Sequence, residues 1–312
     1  MYSTRKLVFA LEPKQIDQYV LAIEESGGHV SNLSSGVEAL IWTDYARPDL
    51  LEQALRSNPQ LRWVQLPFAG VDAFSSIIAS HPSITFTSAK RSYSEPVAEH
   101  ALMLCMALGR VLPERIRAKS WGKKYADSLF DENLLIVGGG GIAQQLVDLL
   151  EPYRTQVTVI RKRPREPFSN TGFSRVLGFD SLDQELPKAK FVVLACALTD
   201  ETRFLFEATR IGKMRKDAYL VNVARGEIVN QDDLVDALQN AVIAGAATDV
   251  TYPEPLPDEH PMWRVENLVI TPHTADTMPI VTRLFSERLR ENVAAFINGE
   301  RLVGLVSPEL GY

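Results

Sequence analysis

Apolar residues in this chain gather in short runs, and polar stretches between them repeat their apolar positions every three or four residues. Runs at 7–11, 39–42, 61–66 and 84–87 predict strands, with helices over 14–27 and 48–57 between them. Such alternation predicts a parallel sheet covered on both faces. From 95 to 120 the spacing of Val97, Ala98, Ala101, Leu102, Leu104, Cys105 and Leu108 predicts one long helix. A second alternating set follows, with strands at 134–137, 157–160, 191–195, 218–223, 243–249 and 268–270 and helices over 201–213 and 232–239. A last helix over 279–298 returns the chain to its first domain. The expected fold is α/β: two Rossmann-like or flavodoxin-like domains with parallel sheets and an active-site cleft between them. The chain's 312 residues exceed a single core's usual limit of about 250–300. Residues 1–98 with 280–312 would form one domain and 99–279 the other.

Between the strand Leu134-Leu135-Ile136-Val137 and the helical run from Ile142 to Leu150 stand four glycines, Gly138 to Gly141. Strand, glycine turn and helix make a dinucleotide-binding unit, because glycines let the backbone approach a pyrophosphate resting on the helix N-terminus. Read as G-x-G-x-x-A, the fingerprint is Gly138, Gly140 and Ala143, and Gly141 and Ile142 open the helix. An NAD-selecting fold has an acid about 20 residues further on, at the end of the second strand. Here that strand ends at Ile160 and is followed by Arg161, Lys162 and Arg163, with no acid before Glu166. Such a basic cluster suits a 2′-phosphate. NADP(H) is therefore the preferred cofactor expected, with NAD(H) possible.

A net charge of −6 argues against nucleic acid as a partner. No stretch approaches the roughly 20 apolar residues of a membrane span, and the N-terminus lacks the apolar core of a secretory signal. Cys105 and Cys196 lie in apolar surroundings and read as buried free thiols, so a cytoplasmic protein is expected. No cluster has metal-ligand spacing.

Chemistry concentrates at the ends of later strands, where ligands sit in open α/β sheets. Asn222-Val223-Ala224-Arg225-Gly226 places an Arg there, Asp249 is followed by a proline-rich loop containing Glu254, and Thr271-Pro272-His273 closes the last strand. Arg can clamp a carboxylate or polarise a ketone. A His paired with Glu is held in one tautomer with its imidazolium stabilised, ready to donate a proton as hydride reaches carbon.

The fingerprint, N-V-A-R-G, D-V-x-x-x-E-P and T-P-H, in this order, resemble the D-isomer-specific 2-hydroxyacid dehydrogenase family. The resemblance extends to Phe68-Ala69-Gly70-Val71-Asp72, Val97-Ala98-Glu99-His100, Leu198-Thr199-Asp200-Glu201-Thr202 and Pro261-Met262-Trp263, covering nearly the whole chain. It implies His273 as general acid/base, Glu254 as its pairing carboxylate and Arg225 as the substrate-binding, polarising Arg. Asp249 would contact the nicotinamide carboxamide, Val223 and Ala224 the cofactor, and Leu198 and Thr202 its adenosine half. The amides of Ala69, Gly70 and Val71 would grip the substrate carboxylate beside Arg225 and His273. Basic residues after the second strand resemble the NADPH-preferring glyoxylate and hydroxypyruvate reductases, and the family's habit implies a homodimer. The competing reading is a dinucleotide-sensing, co-repressor-like regulator on the same fold. Formate oxidation is disfavoured because Glu254, rather than an amide, partners the His. Of the other histidines, His29 and His81 read as solvated and His260 as a surface residue, while His100 reads as an interdomain hydrogen-bonding residue.

Overall fold

A computed structural model describes residues 7–168 and 174–307. The chain divides into two units, Met1–Tyr93 with Thr277–Tyr312, and Ser94–Asp276. The exchanges between units fall at 93/94 and 276/277, where the patterning places them at 98/99 and 279/280. The N-terminal residues read as free of a secretory signal include 1–6, which lie outside the described residues.

In the first unit the apolar runs become β1 (Val8–Glu12), β2 (His29–Val30), β3 (Ala39–Trp42), β4 (Trp63–Gln65) and β5 (Thr85–Thr87). They form one parallel sheet in the order β2-β1-β3-β4-β5, a flavodoxin-like order. Helices α1 (Asp17–Glu25), α2 (Pro48–Ser57) and α3 (Ser75–Ser80) connect the strands. All four residues of β3 are buried, as a strand covered on both faces requires. The C-terminal helix Met278–Asn298 belongs to this unit and meets α1 through Phe285 and Tyr19, whose rings lie 5.0 Å apart edge to face. Each such buried aromatic contributes about 1.5–3 kcal/mol. Trp63 donates to Thr87 (2.8 Å), Thr87 donates to Gln65 (2.8 Å), and Asn292 also donates to Gln65 (2.8 Å), so this buried polar chain is satisfied.

The second unit begins with α4 (Ser94–Gly109) and α5 (Leu112–Arg117). The single helix expected over 95–120 is thus two. Val111 takes a left-handed conformation (φ 50°), and Pro113 can only start a helix there, since it has no N–H for the Gly109 carbonyl. The Asp127 amide fills that carbonyl instead, at 2.7 Å. Next come β6 (Asn133–Val137), α6 (Gly141–Leu150), β7 (Gln156–Ile160), β8 (Ser174–Leu177), α7 (Leu182–Glu185) and β9 (Phe191–Leu194). The unit continues with α8 (Ala208–Ile211), β10 (Tyr219–Asn222), α9 (Gln231–Gln239), β11 (Gly245–Thr248) and β12 (Leu268–Ile270). All seven strands are parallel in the order β12-β11-β10-β9-β6-β7-β8. That is a doubly wound order whose direction reverses between β6 and β9, the crevice where dinucleotides bind.

Two expectations fail here for local reasons. The helix expected over 201–213 shrinks to α8, because Phe204 adopts φ 49° and Phe206 donates to Ile228 in a sheet-like bridge (3.0 Å). Strand β8 escapes the patterning because Ser174–Leu177 is an edge strand with no fully buried residue. Both cysteines are free, but only Cys105 is fully buried; Cys196 is half-buried. Among the described residues no helix is long and apolar enough to cross a membrane.

Candidate active site

The glycine turn sits at the reversal point, after β6. Gly138 has φ +120°, and a Cβ there would fall 2.4 Å from the Ala195 carbonyl oxygen at the end of β9, so only glycine fits. Gly140 differs: a Cβ built on it meets nothing within 4 Å. Among the described residues no protein group accounts for that glycine, and the space left open suits a phosphate approaching the backbone. Gly141 and Ile142 open α6, and the first amides of a helix have no intrahelical acceptor. The turn therefore fits a dinucleotide pyrophosphate.

The basic cluster lies just beyond β7. The Arg161 side chain is largely buried: its stem lies against Gly139, and its guanidinium stands 5.6 Å over the Phe168 ring. Arg161 and Arg163 share Glu166, at 3.1 and 2.8 Å, while Lys162 donates to Glu201 at 2.8 Å. The Glu166 carboxyl is held below its ordinary range, first by the hydrogen bond from Arg163. Glu201 comes from a loop far along the chain, so this pairing was not readable from the cluster itself. Leu198 packs against the apolar core of the unit. The Thr202 hydroxyl faces inward, donating to the Ala197 carbonyl (2.7 Å) and accepting from the Thr199 amide (2.8 Å). Thr202 thus shapes this loop rather than offering its hydroxyl outward.

Past β10, Asn222 clamps the turn that presents Arg225: its amide donates to the Arg225 carbonyl (2.9 Å), and its oxygen accepts from the Ala224 amide (3.0 Å). The Arg225 guanidinium donates to the Ala224 carbonyl at 2.8 Å. Val223 and Ala224 are buried beside it. A Cβ on Gly226 would lie 2.1 Å from the Thr251 carbonyl carbon, so glycine lets this turn touch the loop after β11. Gln231 fixes that loop by bonding both backbone groups of Tyr252, at 2.6 and 2.8 Å. The peptides before Pro253 and Pro255 are cis, and Glu254 stands between them.

Glu254 accepts from Nδ1 of His273 at 2.5 Å, and both side chains are partly exposed. That hydrogen bond is the main reason the imidazole titrates above its ordinary value. Partial burial opposes the rise, the Glu254 and Asp276 charges favour it, and the Arg225 charge opposes it. Glu254 and His273, expected from two of three strand ends, are in direct contact in the second unit, and the charge of Arg225, from the third, acts on the same imidazole.

Asp249 is only 2% exposed. Burial works to raise its carboxyl, but hydrogen bonds from His100, Thr271 and the amides of Thr274 and Ala275 outweigh it, and the carboxyl titrates below its usual range. His100, expected to bridge domains, instead bonds Thr271 within the second unit, at 3.0 Å. His81, expected to be solvated, pairs with Glu52 at 2.9 Å. Asp276 was missed by sequence reasoning. It sits three residues beyond His273, partly buried, and burial pushes its carboxyl up while the charges of His273 and Arg225 pull it down. Asn222 and Gln231 were also missed, because their roles lie in backbone contacts rather than in a motif. In the first unit, the amides of Ala69, Gly70 and Val71 follow β4 in a loop and meet no protein acceptor among the described residues.

Residues 100–275 match the family model described as D-isomer specific 2-hydroxyacid dehydrogenase, NAD binding domain. The chain is 34% identical over 299 residues to a protein of Corynebacterium melassecola, described as an uncharacterized protein in the proB 3′ region, covering 93% of this chain and 95% of that one. It is 33% identical over 215 residues to the glyoxylate reductase/hydroxypyruvate reductase of Homo sapiens, covering 66% of this chain and 65% of that one. Its fold superposes with a TM-score of 0.84, at 23% identity, on a D-isomer specific 2-hydroxyacid dehydrogenase of Xanthobacter autotrophicus Py2 solved with NADPH and MES, covering 98% and 99% of the two chains.

Proposed function

The chain belongs to the D-isomer-specific 2-hydroxyacid dehydrogenase family, and on that footing we propose that it reduces a small 2-keto acid of the glyoxylate or hydroxypyruvate kind to the D-2-hydroxy acid, using NADPH. One observation carries the reading: His273 holds its Nδ1 on Glu254 at 2.5 Å, with the Arg225 charge close enough to act on the same imidazole. A bound NADPH supplies the hydride that reaches C2. Glu254 ties up Nδ1 and stabilises the imidazolium, which leaves Nε2 of His273 to donate a proton to the carbonyl oxygen. Arg225 offers a fork of donors to the carboxylate and to the ketone. The amides of Ala69, Gly70 and Val71 are the first unit's proposed contribution to the carboxylate.

Gly138, Gly140, Gly141 and Ile142 would hold the pyrophosphate, and Arg161, Lys162 and Arg163 the 2′-phosphate. Val223, Ala224, Leu198 and Asp249 complete the proposed cofactor surface; Thr202 would act there through the loop it shapes. Replacing both Lys162 and Arg163 by Ala should raise KM for NADPH about 10- to 100-fold, since each charge-assisted hydrogen bond is worth about 1.5–3 kcal/mol before screening. KM for NADH should move less than about threefold. Equal losses for both cofactors would sink the assignment of the cluster to the 2′-phosphate. A homodimer in the cytoplasm accompanies this reading; the exposed Trp121 and Ile116 on and after α5 suit such an interface.

The decisive test follows NADPH oxidation with glyoxylate, hydroxypyruvate, pyruvate and phenylpyruvate. No turnover on any 2-keto acid would defeat the proposal, and cofactor binding with no turnover would favour a dinucleotide sensor. The pH profile provides a second check. Reduction needs the imidazolium, so the rate is full below the His273 pKa and is lost as pH rises through it. Glu254 raises that pKa. Glu254→Gln should therefore move the basic limb of kcat to lower pH, with a loss that deepens as pH rises. A limb left in place would show that Glu254 does not act on His273.

A further inference from the structure

The turn that carries His273 is held by a buried acid. His273 itself lies in the left-handed region, φ 50°, a conformation that costs a non-glycine residue about 1–2 kcal/mol unless its surroundings impose it. Its amide donates to the Asp249 carbonyl (2.8 Å) and to the Thr271 carbonyl (3.0 Å). The next two amides close on the Asp249 side chain, Thr274 at 2.9 Å and Ala275 at 3.1 Å. The Thr271 hydroxyl donates to the same carboxylate at 2.5 Å. With its one O–H directed at Asp249, that hydroxyl can only accept from Nε2 of His100, 3.0 Å away on α4, and the same nitrogen lies 3.3 Å from Asp249. His100 and Asp249 are both largely buried, so this chain of bonds is shielded from competing water.

We propose that His100 is a positioning residue for the reaction: through Thr271 it fixes the Asp249 carboxylate, which in turn holds the left-handed turn that presents His273 to Glu254. The inference rests on the reading of His273 as proton donor. Asp249 thereby gains a role beyond the cofactor contact implied by family resemblance, because both its oxygens already serve the turn. His100 itself need not touch substrate or cofactor.

The test uses paired variants of the whole enzyme. His100→Leu and Thr271→Val remove the donor and the hydroxyl while keeping approximate size; His100→Gln and Thr271→Ser restore them. Each apolar variant should lower kcat about 10- to 100-fold, the scale expected of a misplaced catalytic group. NADPH affinity, read by fluorescence, should stay within about twofold. The basic limb of kcat should move to lower pH as His273 loses its alignment on Glu254; the other charges acting on it, Arg225 and Asp276, are untouched by the substitutions. The polar variants should recover kcat to within about threefold and return the limb. Unchanged kcat in the apolar variants, loss of kcat without a limb shift, or loss of NADPH binding would each overturn the proposal. If His100→Leu does not fold, the Thr271 pair decides by the same readouts. A His273→Ala control separates the two layers: activity retained there removes the functional reading, whereas a dead His273→Ala beside an active His100→Leu removes only the positioning role.

Discussion

His273→Ala is expected to lower kcat for 2-keto acid reduction by about 10²- to 10⁴-fold, the usual contribution of a positioned general acid. The loss should fall on kcat and kcat/KM together, because the proton is transferred only as the carbonyl is reduced. Affinity for NADPH should stay within about twofold, since the proposed cofactor-holding groups lie at other strand ends. The residual rate should lose its basic limb, because no imidazole remains to titrate in the proton-donating role. His273→Asn offers a finer control: it keeps a polar side chain that tolerates the left-handed backbone, φ 50°, but cannot donate a proton as imidazolium does. If both variants keep more than about a third of the parent kcat, His273 is not the acid.

What made His273 readable in the sequence was its place just past an apolar run, with an Arg and a Glu at comparable places on neighbouring runs. In a parallel sheet the ends of adjacent strands lie side by side, so residues separated by dozens of positions converge without any local signal. Register bears this out: Asn222 pairs with Thr248, and Thr248 with Ile270, so the three chemical segments leave the sheet in one row. The same logic placed Arg161 beside the glycine turn, since Val137 and Ile160 are paired. What stayed hidden depends on short-range stereochemistry or on loops. A left-handed Val111 splits a helix that periodicity makes continuous, and an inward Thr202 hydroxyl cannot be told from an outward one by spacing. Edge strands such as β2 and β8 bury too little to carry an apolar signature. The partners of the basic cluster, and His100 under the turn that carries His273, are long-range contacts that composition does not encode.

Arg225→Met should carry the second large effect. Removing one member of a desolvated charge pair costs about 2–5 kcal/mol, so kcat/KM for the keto acid should fall by roughly 30- to 5,000-fold. If the guanidinium both holds the carboxylate and polarises the ketone, the loss will divide between KM and kcat; a clamp alone would raise only KM. Arg225→Lys keeps the charge but loses the planar fork, and should recover only part of the difference. The pH profile adds a sign that stability alone could not mimic. The Arg225 charge opposes the protonation of His273, so Arg225→Met should move the basic limb to higher pH, opposite to the shift expected for Glu254→Gln. Arg225→Lys should leave the limb where it is. Opposite shifts from the two neighbours would place both charges on one imidazole in solution. A kcat/KM within about threefold of the parent for Arg225→Met would instead remove Arg225 from the site, and with it the carboxylate clamp on which the choice of a 2-keto acid depends.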